Sequence, residues 1–147
     1  MLSFGLLHDD ECFRAVNRKI MIVDNNSDVR KLLVLRLQQS CYDTVEAATT
    51  HEAINQARTT RPNLILMDLT LLSGNGAEAI ATLKADSLTR DIPLIVLSTC
   101  FDGVLVDRAI AAGAAEILHK PVNWNWLDLV LQRHLSYQLQ TQLISKS

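Results

Sequence analysis

The sequence has no surplus of positive charge: 14 Lys and Arg stand against 16 Asp and Glu, a formal net charge of −2, and the basic residues are scattered rather than striped. Neutralising a phosphate backbone needs such a surplus, so no direct binding of nucleic acid is expected. Cysteine is scarce. Cys12, Cys41 and Cys100 are widely spaced, odd in number and without a C-x-x-C pair, which argues against a disulfide framework and a structural zinc site and makes a reducing cytoplasm the simplest setting. No apolar run approaches the roughly 20 residues that cross a bilayer, so no membrane partner is expected. The start, Met1-Leu2-Ser3-Phe4-Gly5-Leu6-Leu7, is apolar but carries no basic leader and is cut short by Asp9, Asp10 and Glu11, a poor signal peptide. Internal repeats and low-complexity linkers are also missing. His8, His51, His119 and His134 show no metal-ligand spacing. What remains is a chain of 147 residues, enough for one domain that buries roughly two thirds of its unfolded surface without disulfides or metal.

Four polar residues each end an apolar segment. Asp24 closes Lys19-Ile20-Met21-Ile22-Val23, Asp68 closes Leu64-Ile65-Leu66-Met67, Ser98 closes Pro93-Leu94-Ile95-Val96-Leu97, and Lys120 closes Glu116-Ile117-Leu118-His119. Near-continuous apolar runs mark parallel strands buried on both faces, and an open α/β sheet binds ligands beyond the carboxyl ends of its strands. The four residues therefore converge on one site. There a lone carboxylate such as Asp68, backed by the loop from Leu69 to Gly76, can be a nucleophile.

Helical spacing fills the gaps between strands. Asn26 or Ser27 can cap a helix with apolar positions Val29, Leu32, Leu33, Leu35 and Leu37, ending near Gln39. The segment from Tyr42 to Ala47 alternates like a strand exposed on one face, and Thr49 or Thr50 then opens a helix with Ala53, Ile54 and Ala57 inward, stopped by Arg61-Pro62. Ser73-Gly74-Asn75-Gly76 turns into a helix carrying Ala79, Ile80 and Leu83, and Asp91-Ile92-Pro93 starts the next strand. Val104, Val106, Ile110 and Ala111 mark a helix stopped at Gly113; Ala115 to Leu118 forms a short strand, and a last helix begins near Asn123 or Asn125. Strand and helix alternate five times, which with right-handed crossovers predicts an α/β domain: a doubly wound, five-stranded parallel sheet with helices on both faces.

Taken together, these residues resemble the receiver domain of bacterial two-component response regulators, a flavodoxin-like fold with strand order 2-1-3-4-5. The resemblance covers roughly residues 19–135, leaving 1–18 as an N-terminal extension and 136–147 as a C-terminal helix extension. It implies that Asp68, in Leu66-Met67-Asp68, is the phosphoacceptor. Ser98 and the Lys120-Pro121 pair match the family's hydroxyl and lysine, Gly76 its loop glycine, and Ala112-Gly113-Ala114 its turn before strand five. A phosphoryl group in transfer carries charge on its equatorial oxygens, so cations and donors must be in place beforehand. By the resemblance Lys120 supplies a compact positive charge and Ser98 a hydrogen bond, while Mg²⁺ bridges Asp68, the backbone carbonyl of Thr70 and the acidic cluster after strand one.

Three positions depart from that family. Val23-Asp24-Asn25-Asn26 has one acid where two adjacent acids are usual: Asn25 stands at the directly coordinating position and can offer only an amide oxygen, so weaker metal binding is expected. Leu72 stands where the family often has Pro. Ile117 replaces the strand-five aromatic that swings inward on phosphorylation in many members; it reads first as a core or half-exposed strand residue.

Leu127, Leu131, Leu135, Leu139 and Leu143 recur every fourth residue, joined by Val130 and Ile144 and preceded by Trp124 and Trp126. That stripe runs past the domain's expected end, so a homodimer through the C-terminal helix is a candidate use of it. With no effector domain expected after residue 147, the expected function is a stand-alone receiver that takes a phosphoryl group from a sensor histidine kinase or phosphotransfer protein and signals to a downstream protein. A phosphorylation-independent pseudo-receiver, used as an interaction module, is the alternative. An enzymatic reading, a phosphatase of the haloacid dehalogenase type, is disfavoured because its general acid belongs where Thr70 stands and no cap domain fits; no enzyme activity is expected.

Overall fold

The computed structural model describes residues 18–69, 76–99 and 103–146, with side chains to residue 136. Five strands, β1 (Lys19–Val23), β2 (Asp43–Ala47), β3 (Leu64–Asp68), β4 (Leu94–Ser98) and β5 (Glu116–His119), alternate with five helices. These are α1 (Ser27–Gln39), α2 (Thr50–Thr60), α3 (Gly76–Ala85), α4 (Gly103–Ala112) and α5 (Trp124–Lys146). All strand pairs are parallel and the order is β2-β1-β3-β4-β5, the doubly wound arrangement expected from the alternation.

Local chemistry explains where the helices begin. Asn26 caps α1, its Oδ1 accepting hydrogen bonds from the amides of Asp28 at 3.0 Å and Val29 at 3.2 Å. Thr49 caps α2 by accepting from the Glu52 amide at 3.1 Å, while the Glu52 carboxylate reaches back to the Ala48 amide at 2.8 Å. Asn123 caps α5 through the Trp126 amide at 3.0 Å. Helix α2 ends on Arg61 in the left-handed conformation, directly before Pro62, where continuation is sterically blocked.

The sheet is buried on both faces. One layer packs Ala53 and Ala57 of α2, Ala79, Ile80 and Leu83 of α3 and Ala109 of α4 against Met21, Val23, Ile65, Met67, Leu94 and Val96. On the other, Leu33 and Leu37 of α1 and Leu127, Val130, Leu131 and Leu135 of α5 cover Ile20, Ile22, Leu64, Leu66, Ile95 and Leu97. At about 25 cal/mol per Å² of apolar surface, burial of these branched side chains is the main force holding helices to sheet.

One sequence expectation, the absence of a disulfide, needs correction, and two helices bury fewer of their apolar residues than they carry. Leu32 and Leu35 share the helical spacing of α1 but are 62% and 58% exposed, because Leu33 and Leu37, with Val29 and Val34 beside them, already fill the space over the sheet. In α4, Val104 and Ile110 are likewise exposed, and the inward face is Leu105, Ala109 and Ala112. Cys41 is disulfide-bonded; cysteine spacing along the chain carries no information on which segments the fold brings together. Other expectations hold: Ile117 is a half-buried strand residue packed on the core, and α5 runs unbroken to Lys146. Leu72 and Cys100 lie outside the described residues.

Candidate functional site

The register of the sheet brings the carboxyl ends of its strands together. Val23 pairs with Met67, Asp68 with Leu97 and Ser98 with His119, so the residues at or just past these ends share one rim. Asp24, Asp68 and Ser98 are buried there, and buried carboxylates persist only with compensating partners. The compensation comes from Lys120. Its ammonium donates to Asp68 Oδ2 at 3.0 Å and to Asp24 Oδ2 at 3.2 Å, with only 16% of its side chain exposed. The Lys120 amide donates to the Ser98 carbonyl at 2.9 Å, extending the β4–β5 ladder one residue and fixing where the lysine leaves the sheet.

The loop after β1 is pinned from several sides. The Asp24 amide donates to the Ala47 carbonyl at 3.0 Å, and Asp24 Oδ1 accepts from the Asn26 amide at 2.9 Å. Arg30, one turn into α1, donates from Nη1 to the Asp24 carbonyl at 2.7 Å and from Nε to Glu46 Oε1 at 3.0 Å. Arg30, Glu46 and the Asn26 amide are parts of this constellation that the sequence alone did not single out. Their pairing joins α1 to the end of β2, and no sequence spacing announces it.

Of the site residues expected from sequence, Asp24, Asp68 and Lys120 are in direct contact, and Ser98 closes the neighbouring strand beside them. Asn25 sits exposed at the turn. Thr70 lies outside the described residues. Among the described residues no three acidic, histidine or cysteine side chains gather into a metal-holding group. The donors present are nevertheless of the right kind: two buried carboxylates brought together at the Lys120 ammonium suit a hard cation such as Mg²⁺, which keeps several waters and asks for few protein ligands. The set fits Mg²⁺ with one carboxylate fewer than the family usually supplies.

Comparison with known proteins agrees with the geometry. The family model of the response regulator receiver domain matches residues 20–132. The phosphate regulon transcriptional regulatory protein PhoB of Escherichia coli is 34% identical over 104 residues, covering 71% of this chain and 45% of PhoB. The chain thus spans about half the length of the curated relatives it matches. Chemotaxis protein CheY4 of Vibrio cholerae superposes with a TM-score of 0.74 at 28% identity, covering 80% of this chain and 98% of that one. The receiver domain of sensor histidine kinase PA1611 from Pseudomonas aeruginosa PAO1, described with magnesium coordinated in its active-site cleft, gives 0.74 at 25% identity over 81% and 98% of the two chains. Receiver domains bind Mg²⁺, interact with histidine kinases or phosphotransfer proteins, and are signalling domains rather than enzymes. A parallel sheet in the order β2-β1-β3-β4-β5, a lysine bridging two strand-end aspartates and a family match over most of its length leave one assignment: the chain belongs to the response regulator receiver domains of two-component phosphorelays.

Proposed function

We propose that this chain works as a stand-alone receiver that accepts a phosphoryl group on Asp68 from a sensor histidine kinase or phosphotransfer protein and signals by binding a downstream protein. The observation that carries the proposal is the Lys120 ammonium held 3.0 Å from Asp68 and 3.2 Å from Asp24. In the reaction an Asp68 carboxylate oxygen bonds to phosphorus as the bond to the donor's leaving atom breaks; the leaving group departs with that electron pair and takes a proton from solvent. Lys120 offsets charge on the transferring oxygens, and the Ser98 hydroxyl donates to one of them. Asp24, Asp68, the Thr70 carbonyl and the Asn25 amide would hold Mg²⁺, which when bound supplies positive charge to the same oxygens. A preformed charge at Lys120 lowers the barrier because nothing has to reorganise when the phosphoryl group arrives.

Residues 19–135 are the working unit in this proposal, with 1–18 and 136–147 as extensions and the continuous helix α5 a candidate homodimer contact. Among the described residues no helix is long and apolar enough to cross a membrane, and the proposal includes no direct nucleic-acid partner.

A second reading, a pseudo-receiver acting without phosphorylation, is favoured by one observation, the neutral and exposed Asn25. Intact mass after incubation with acetyl phosphate and saturating Mg²⁺ separates the two. The receiver gains one phosphoryl group that Asp68→Asn does not gain; a wild-type mass that never changes establishes the pseudo-receiver.

A further inference from the structure

Beyond the acceptor set itself, Arg30 occupies an unusual place. It sits on α1, outside the strand-end cluster, yet its guanidinium fork spans two elements of the site. Nη1 holds the main-chain oxygen of Asp24 at 2.7 Å and Nε holds the Glu46 carboxylate, at the end of β2, at 3.0 Å. The arginine side chain is only 17% exposed, whereas Glu46 is 47% exposed. Such a planar fork fixes two acceptors at once, which a single ammonium cannot do.

The Asp24 carbonyl is where the site loop leaves β1. Asp24 Oδ2 meets Lys120, Oδ1 takes the Asn26 amide, and Asn25 begins with the very peptide that Arg30 grips. With an amide at position 25, the inner charges are Asp24, Asp68 and Lys120, a formal total of minus one. An uncompensated Arg30 would cancel that total and oppose a divalent cation. Glu46 neutralises it.

We propose that Arg30 is a positioning residue for the cation and phosphoryl site, fixing the peptide between Asp24 and Asn25 so that the Asp24 carboxylate and the Asn25 amide oxygen are presented together, while Glu46 aims the guanidinium and masks its charge. The inference deepens the phosphoacceptor reading and rests on it. A site short of one acid depends more heavily on how its remaining oxygen donors are held, and outer partners of metal ligands commonly govern affinity.

The sign of one measurement separates positioning from its alternatives. Arg30→Gln removes a positive charge from beside the site, which by electrostatics alone tightens Mg²⁺. A purely structural Arg30 lowers thermal stability and leaves cation affinity as it was. Positioning predicts the reverse of the electrostatic result: Mg²⁺ binding, followed on the whole chain by calorimetric or amide-shift titration without any phosphodonor, weakens on the order of tenfold. Arg30→Lys, with charge but no fork, recovers only part of that loss. In acetyl phosphate reactions the half-saturating Mg²⁺ rises while the rate at saturating Mg²⁺ stays near that of wild type. Should Arg30→Gln not fold, Arg30→Lys, which keeps the charge and loses the fork, carries the test alone and weakens Mg²⁺ several-fold. Unchanged or tighter Mg²⁺ binding in the folded variants overturns the proposal. Weakened binding together with a wild-type protein that never takes a phosphoryl group supports it and faults the acceptor reading alone.

Discussion

Replacing Asn25 with Asp restores the acid that the loop after β1 lacks, and its effect can be sized. A unit charge about 4 Å from another is worth roughly 1 kcal/mol in water and about 4 kcal/mol at an effective dielectric near 20, and a divalent ion doubles both. Because position 25 is exposed, the water limit is the better guide, about 2 kcal/mol. At 1.4 kcal/mol per factor of ten, Asn25→Asp should tighten Mg²⁺ by roughly thirtyfold. Repulsion from the two aspartates already present and relief by Lys120 act in opposite directions, so a gain near tenfold still satisfies the reasoning. Titration of Mg²⁺ into wild type and variant, read by calorimetry at fixed ionic strength, gives the ratio directly. Equal affinities would refute the claim that the missing carboxylate limits the metal site.

Other consequences follow from packing and ionisation. Leu131→Ala, at a fully buried position between α5 and the sheet, should cost about 2–5 kcal/mol in denaturant unfolding, whereas Leu35→Gln on the exposed side of α1 should stay within about 0.5 kcal/mol. Gly113 has φ of +122° and a Cβ there would meet Lys84 Cγ at 2.7 Å, so Gly113→Ala should lose about 1–3 kcal/mol. Lys84→Ala in the same background should recover only the part due to the collision. Burial raises the Tyr42 phenol above its ordinary value, with a nearby Asp128 adding to the shift and Arg18 opposing it. The folded state therefore holds that proton longer than the unfolded chain, a stabilisation present below pH 10 and lost as pH rises through the folded value. Tyr42→Phe should flatten the fall in stability above pH 10; an unchanged slope would count against the assignment.

The sheet was legible because apolar runs ending in single polar residues are what doubly covered parallel strands require, and β1, β3 and β4 show it without interruption. The contact of Asp24, Asp68 and Lys120 was legible for the same reason, since strand ends are positions that register brings together whatever lies between them. Helix faces were less so. In α1 and α4 leucine, valine and isoleucine occur on both sides, and only packing against a finite strip of sheet decides that Leu33 and Leu105 turn inward while Leu32 and Val104 do not. The hold of Arg30 on Asp24 and Glu46 was not legible at all, because it depends on the crossing of α1 over the end of β2 rather than on any local spacing.

The most direct test of the central claim is to find where the phosphoryl group goes. After reaction with acetyl phosphate and Mg²⁺, borohydride reduction converts an aspartyl phosphate to homoserine, and peptide mass analysis locates it. The account predicts homoserine at position 68 alone, dependent on Mg²⁺ and strongly reduced in Lys120→Met; modification at another residue, or none at saturating Mg²⁺, would contradict it.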